Sequence, residues 1–123
     1  MMHATPAEIT DDLVYQIGAL TAFTGGKRLQ HVKPHGALYN RTVHDEHQAA
    51  AVVAALVAYE PTLPLLGLPG SALLRHAEHA GLNAVTEAFS DRGYTAQATL
   101  VPRSQPGALL HDPVEVAQRM VSM

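Results

Sequence analysis

The spacing of apolar and polar positions along the chain predicts helices that alternate with strands. The first apolar stretch has the spacing of one helix face, and its positions are Ile9, Leu13, Ile17, Leu20 and Phe23. A capping box of Thr5 and Glu8, with Pro6 in the first turn, precedes it, and Gly25-Gly26 follows it. The pattern predicts a helix between these signals. Asp11 and Asp12 lie off its stripe and are expected to face solvent, whereas Tyr15 and Gln16 are expected to pack near a sheet.

Three more helices are predicted from start signals followed by apolar spacing. Asp45 caps a helix over 46–59, in which Ala50, Val53, Ala54 and Val57 are expected to face a sheet. Ser71 caps a helix over 72–80, and Asp112-Pro113 starts a last helix over 113–122.

Strands are predicted at 28–33, 63–68 and 83–89, between the helices. The second is almost continuously apolar, which is typical of a strand covered on both faces of a parallel sheet. Strands that alternate with helices indicate an α/β fold with parallel pairing and right-handed crossovers. With 123 residues, the chain has the size of a single domain.

The end of the first strand carries the densest group of chemically active side chains. His31, Lys33 and His35 fall on one face of an extended chain, and Val32 and Pro34 fall on the other. Proline stiffens this segment, and Gly36 permits a tight turn after it. Parallel α/β folds keep their active sites at the carboxyl ends of strands, so Lys33 and His35 are candidate catalytic residues.

The third strand ends in the same manner. Glu87 lies near its carboxyl end and is followed by Asp91 and Arg92. A carboxylate and a guanidinium at a strand end repeat the arrangement of Lys33 and His35.

Other motifs in the sequence give weaker indications of a site. Gly25-Gly26-Lys27 lacks the Ser or Thr and the upstream Gly of a phosphate-binding loop. The turn before Ser71 is either an anion-binding helix start or an ordinary connection, and both interpretations stay open. No complete set of metal ligands is recognised, so no metal is predicted.

Composition narrows the class of protein further. The net charge is −3 and no basic cluster occurs, which argues against a nucleic-acid partner. Cysteine is absent, which excludes disulfides. No apolar run reaches the ~20 residues of a membrane span, and no signal peptide is recognised, so a cytoplasmic protein is expected.

The segment from His31 to Asn40, HVKPHGALYN, is similar to the signature of the LamB/YcsF family, also called the A subunit of 5-oxoprolinase. Other segments resemble the family in the same order along the chain: 15–20, 67–71, 88–92, 100–103 and 106–108. Gln97-Ala98 departs from it, because family members usually have Asp-Gly there.

The resemblance implies an enzyme that opens the lactam 5-oxoproline to glutamate, with ATP as cofactor and subunits B and C as partners. Lys33, His35, Glu87 and Asp91 are its candidate catalytic residues. Candidate substrate- or phosphate-binding residues are Tyr39, Asn40, Ser71, Arg92 and Arg103.

The resemblance also implies a fold that resembles part of a distorted TIM-like barrel. Family members are about twice as long, so the chain corresponds to a central portion and is expected to be inactive alone. Uncovered sheet edges predict self-association, a need for a missing chain, or marginal stability. Two other functions stay open: a non-catalytic assembly piece of the same fold, and a deacetylase-like carbohydrate hydrolase.

Overall fold

A computed structural model describes residues 4–25 and 27–122. Its helices are α1 (Pro6–Phe23), α2 (Gly36–Arg41), α3 (Glu46–Tyr59), α4 (Ala72–His79) and α5 (Pro113–Ser122), and its strands are β1 (Leu65–Gly67) and β2 (Ala84–Thr86). No helix among the described residues has both the length and the apolar character needed to cross a membrane. The chain forms two compact units, one ending at Thr86 and one starting at Glu87. The single domain expected from the length stays a prediction.

The first helix begins as the sequence predicts. The Glu8 N–H donates to Thr5 Oγ1 at 3.3 Å, and the Thr5 N–H donates to the Glu8 carboxylate at 2.8 Å. The second of these bonds lowers the pKa of Glu8. The predicted apolar stripe is only partly confirmed, because Ile9 and Ile17 are buried whereas Leu20 and Phe23 are exposed. The carboxyl-terminal end of α1 therefore presents apolar side chains that the described residues leave exposed.

The parallel sheet is confirmed, and it is small. Strands β1 and β2 pair in parallel, and Val32 forms a single parallel bridge to Leu65 of β1. The Val32 N–H donates to the Pro64 carbonyl at 2.8 Å, and the Leu66 N–H donates to the Val32 carbonyl at 2.9 Å. The chain thus has an α/β architecture in which β1 contributes to both pairings.

The predicted strand over 28–33 is wrong in length, since only Val32 pairs. A parallel ladder would continue with a hydrogen bond from residue 34 on one side and from residue 64 on the other. Both positions are proline, which has no N–H to donate. The two prolines limit this pairing to one residue.

Helix α3 has the predicted bounds, and the Asp45 side chain accepts from the Gln48 N–H at 3.1 Å. Its predicted inward face is only partly confirmed: Val53 is buried and Ala50 is half-buried, whereas Ala54 and Val57 are exposed. The buried residues of the helix are Ala49, Ala51, Val52, Val53, Ala55 and Leu56. The helix packs mainly against α1 and α4 rather than against a sheet. Because almost every α3 position is apolar, its pattern alone does not define which face is buried.

Helix α4 is joined to α3 by a cluster of charged side chains. Glu46 at the start of α3 accepts from Arg75 at 2.6 Å and contacts His76 Nε2 at 2.8 Å. The hydrogen bond from Arg75, followed by that from His76, lowers the pKa of Glu46 from its usual 4.5. The Glu46 carboxylate therefore stabilises the folded chain when it is ionised.

Glu46→Gln is expected to lower the denaturation midpoint at pH 7 and to have a smaller effect at pH 3. A carboxylate whose pKa is lower in the folded chain contributes stability above its unfolded pKa of about 4.5, and that contribution disappears as the pH falls through the folded pKa. Urea denaturation of both proteins at the two pH values measures the difference. Glu78→Gln, at an exposed site on α4, is the matched control. A midpoint difference that persists unchanged at pH 3 would contradict this linkage.

The second unit is held together by a buried arginine and two short antiparallel bridges. Arg92 is 9% exposed, and its guanidinium donates to the carbonyls of Ala108 at 2.9 Å and Val101 at 2.8 Å. The bridges pair Arg92 with Leu109 and Tyr94 with Leu100. The last helix has the predicted bounds, and Asp112 accepts from the Val114 N–H at 2.9 Å.

Ala98 occupies the place where the LamB/YcsF pattern has glycine, and its backbone is left-handed with φ of 59°. The turn is closed by hydrogen bonds from the Ala98 N–H to the Thr95 carbonyl and from the Thr95 N–H to the Thr99 carbonyl. A left-handed alanine costs roughly 1–2 kcal/mol because its Cβ crowds the following carbonyl.

Ala98→Gly is therefore expected to stabilise the second unit by about 1 kcal/mol, the strain relief being partly offset by the greater freedom of unfolded glycine. Hydrogen exchange of the Val101 and Leu110 amides, which are bonded within this unit, reports the change. Ala96→Gly, two positions earlier and without a positive φ, is expected to have no stabilising effect. Equal effects of the two substitutions would show that the turn is not strained.

Candidate functional site

The signature segment has the predicted alternation of exposed and buried residues. Val32 and Pro34 are buried, while His31, Lys33 and His35 are exposed. The buried pair anchors the segment to the first unit, and Val32 also bonds to β1. The cationic and imidazole side chains are thereby held on the solvent side of a constrained backbone.

A short helix follows where the sequence analysis expected a turn alone. His35 is extended, with φ of −119° and ψ of 152°, and α2 begins at Gly36 with φ of 59°. A left-handed start is accessible to glycine at no steric cost, so Gly36 lets the chain turn sharply from the extended segment into α2. The helix was missed because it has only six residues and no side-chain cap at His35.

Lys33 and His35 line the same cavity, which has a volume of about 290 Å³. Pro34 and Leu38 complete the wall from the signature segment, and α1 supplies the opposite set: Ile9, Asp12, Leu13 and Gln16. This volume is at the small end of the range for small-molecule sites. The cavity combines an ammonium, an imidazole, a carboxylate and a carboxamide with apolar walls.

Asp12 and Gln16 are site candidates that the sequence analysis did not identify. Asp12 is exposed, as the sequence analysis expected, whereas Gln16 is exposed and not packed as expected; both line the cavity. Their spacing of four residues puts them on one side of the helix, which is the only signal that the sequence carried. That spacing did not indicate that this side of α1 faces the signature segment.

Tyr39 and Asn40 lie on α2, next to the signature segment. The Lys33 ammonium lies 5.4 Å from the centroid of the Tyr39 ring, and Tyr39 is 6% exposed. A cation at this distance from a ring face is attracted to it, so Tyr39 helps to position Lys33. Asn40 donates from Nδ2 to the Gly36 carbonyl at 3.1 Å. Direct substrate binding by Tyr39 or Asn40 stays a prediction.

The start of α4 favours the ordinary-connection interpretation of the turn at Ser71. Ser71 is buried, and its hydroxyl accepts from the Leu74 N–H at 3.3 Å, so the predicted cap is confirmed. The N–H groups of Ala72 and Leu73 donate to the carbonyls of Val43 and Thr42, each at 3.0 Å. An anion there would have to displace protein acceptors. Phosphate binding at Ser71 gains no support from this geometry.

The remaining candidates lie in the second unit. Glu87 is half-buried, and Asp91 and Arg103 are exposed. Arg92 is engaged with backbone carbonyls, which favours a structural role over substrate binding. Lys33 and His35 belong to the first unit, and the placement of the second-unit residues beside them stays a prediction.

Comparisons with known proteins agree with the resemblance seen in the sequence. The profile of the LamB/YcsF family matches residues 1–123. The chain is 56% identical to a 5-oxoprolinase A subunit of Streptomyces griseus, with 99% of this chain and 50% of that protein covered. It is 51% identical to a 5-oxoprolinase A subunit of Limosilactobacillus fermentum, with 97% and 48% covered.

A solved structure shows the same fold. The crystal structure of a lactam utilization protein from Thermus thermophilus superposes with a TM-score of 0.93 at 46% identity, covering 99% of this chain and 50% of that chain. The chain spans about half the length of the relatives that it matches. With a family profile that matches its whole length, this chain belongs to the LamB/YcsF family.

Proposed function

We propose that this chain forms part of the A subunit of an ATP-dependent 5-oxoprolinase, which opens the lactam ring of 5-oxoproline to give glutamate in the cytoplasm. The observation that carries the proposal is the cavity in which Lys33 and His35 of the signature lie together. The names of the relatives, which designate a 5-oxoprolinase A subunit and a lactam utilization protein, support the same reaction.

Coupling to ATP follows from the chemistry of the substrate. An amine and a carboxyl group in one small molecule recyclise readily because their effective molarity is high, so opening this ring requires a source of free energy. ATP would supply that energy through phosphorylation of the amide oxygen, which makes the amide carbon a better electrophile and gives ADP and phosphate as the other products. The described residues do not fit a nucleotide-phosphate site at the start of α4, whose first N–H groups have protein acceptors. We therefore assign ATP binding to another chain of the assembly.

The cavity residues have separate roles in this proposal. The Lys33 ammonium binds the substrate carboxylate, and the Tyr39 ring holds the ammonium in place. His35 donates a proton to the ring nitrogen as the bond between that nitrogen and the carbonyl carbon breaks. Water supplies the new oxygen of the glutamate side chain, and Glu87 and Asp91 are the candidates for accepting its proton.

The remaining parts of the proposal concern the assembly. We propose that the complete fold of the family is a distorted TIM-like barrel, of which this chain supplies parallel βα units. The designation of relatives as an A subunit implies a complex of several chains, and we propose subunits B and C as the partners. Activity is then a property of the assembled complex.

An assay that couples ATP hydrolysis to glutamate release tests this function. It is run on the chain with and without subunits B and C, and a longer relative serves as the positive control. We expect glutamate release that depends on both 5-oxoproline and the partner subunits. Activity with the longer relative, combined with no activity and no 5-oxoproline binding by this chain, would refute the proposal.

A second candidate is an assembly piece of the same fold that does not catalyse. Exposed apolar side chains on α1 favour it, since Tyr15 is 76% exposed and Phe23 is 87% exposed. Large apolar side chains exposed along one helix are a feature that protein contact surfaces share. Binding to subunits B and C without glutamate release would support this candidate over the first.

A further inference from the structure

The α1 wall of the cavity carries one side chain to which the proposed reaction has not assigned a role. Gln16 lies one helical turn after Asp12, and both line the cavity opposite Lys33 and His35. No hydrogen bond joins the Gln16 side chain to another of the described residues. Its carboxamide is therefore available to a ligand.

We propose that Gln16 determines the specificity of this site by hydrogen bonding to the amide N–H and carbonyl oxygen of a five-membered lactam. The inference rests on the proposed function. A small ring forces its amide to be cis, so the N–H and the carbonyl oxygen point outward side by side. The Gln16 carboxamide also presents an acceptor oxygen and a donor N–H side by side. The two groups are complementary, and pairing them forms two hydrogen bonds at once.

Among the described residues that line the cavity, no other side chain offers this combination. An ionised Asp12 only accepts hydrogen bonds, and Lys33 only donates them. The two ring nitrogens of His35 point in different directions, so they do not match adjacent groups on a ligand. The apolar side chains of Ile9, Leu13 and Leu38 provide surface for the ring methylenes. Gln16 is thus the cavity residue whose chemistry distinguishes a lactam from other small carboxylates.

A matched pair of ligands isolates this contact. 5-Oxoproline and 3-oxocyclopentane-1-carboxylate have the same ring size, carboxylate and carbonyl, and they differ only by N–H in place of CH₂. We measure the dissociation constants of both ligands for the chain by titration monitored with NMR. The proteins compared are the unmodified chain, Gln16→Leu, Gln16→Glu and Gln97→Leu, the last at an exposed glutamine of the second unit.

The unmodified chain is expected to prefer 5-oxoproline at least tenfold, because a site that pairs with an N–H penalises the analogue that lacks it. Gln16→Leu removes that preference, and Gln97→Leu keeps it. Gln16→Glu weakens both anionic ligands but retains a preference, since a carboxylate still accepts from the lactam N–H. Circular dichroism confirms that α1 is intact in each variant, and Gln16→Glu provides the test if Gln16→Leu does not fold.

The measurements distinguish a failure of the role of Gln16 from a failure of the proposed function. If the unmodified chain prefers 5-oxoproline and Gln16→Leu retains the preference, the role of Gln16 is wrong while the proposed function stands. A preference that Gln16→Glu abolishes as completely as Gln16→Leu also overturns the role. If the unmodified chain binds neither ligand, or binds both equally, the inference fails, and absence of all 5-oxoproline binding counts against the proposed function as well.

Discussion

Lys33→Ala is expected to lower 5-oxoproline-dependent glutamate release by about a hundredfold in the assembly with subunits B and C, because a hydrogen bond between charged groups contributes about 1.5–3 kcal/mol and each 1.4 kcal/mol is about tenfold. Loss of the carboxylate partner should appear as weaker binding of 5-oxoproline to the chain. Loss of the contact with Tyr39 should change stability little, since a partly exposed cation over a ring contributes about 0.5–1 kcal/mol. Activity and thermal denaturation measured on the same samples separate the two effects.

Lys27→Ala is the matched control. The sequence contains only two lysines, and Lys27 lies outside the cavity that Lys33 lines. Lys33→Arg keeps the charge but changes the shape of the head group, so it should recover part of the binding. Full activity of Lys33→Ala, with unchanged affinity for 5-oxoproline, would remove Lys33 from the mechanism.

Leu56→Ala is expected to destabilise the chain by about 2–5 kcal/mol, the usual cost of truncating a buried leucine. Leu56 is 1% exposed on α3 and belongs to the core of the first unit. Chemical denaturation measures the change in the free energy of unfolding. The size of the effect follows from both the lost apolar contact and the cavity that remains.

Val57→Ala, at the next position, tests which face of α3 is buried. The sequence pattern places Val57 inward, whereas in the structure it is 47% exposed. A loss below about 0.5 kcal/mol is expected, as for most surface substitutions. A larger loss at Val57 than at Leu56 would mean that the helix is rotated about its axis relative to the structure.

Local signals in the sequence predicted the helices well because helix ends depend on neighbouring residues. Thr5, Asp45 and Ser71 each cap the helix that the sequence assigns to them. Strand lengths were predicted less well. A strand needs a partner with free N–H groups, which proline lacks. Pro34 and Pro64 lie on two different segments, and no local pattern in the sequence indicates that these segments pair.

The candidate site was predicted only in part, because some of its features depend on residues from distant segments of the chain. Extended geometry and proline stiffness made Lys33 and His35 recognisable from a few adjacent residues. The roles of Ser71 and Arg92 could not be judged that way, because the groups that decide them lie on other segments of the chain. Only the folded chain shows that Arg92 donates to backbone carbonyls. It also shows that carbonyls of the loop after α2 accept hydrogen bonds from the first N–H groups of α4.

By itself the sequence determined the family, the α/β class, the caps of the helices and the signature that carries Lys33 and His35, since each depends on residues that are close in the chain. The tertiary structure alone decided which side of α3 is buried, how far Val32 pairs, and that Asp12 and Gln16 share a cavity with the signature. These features depend on how helices and strands pack. Packing brings together residues that no local pattern connects.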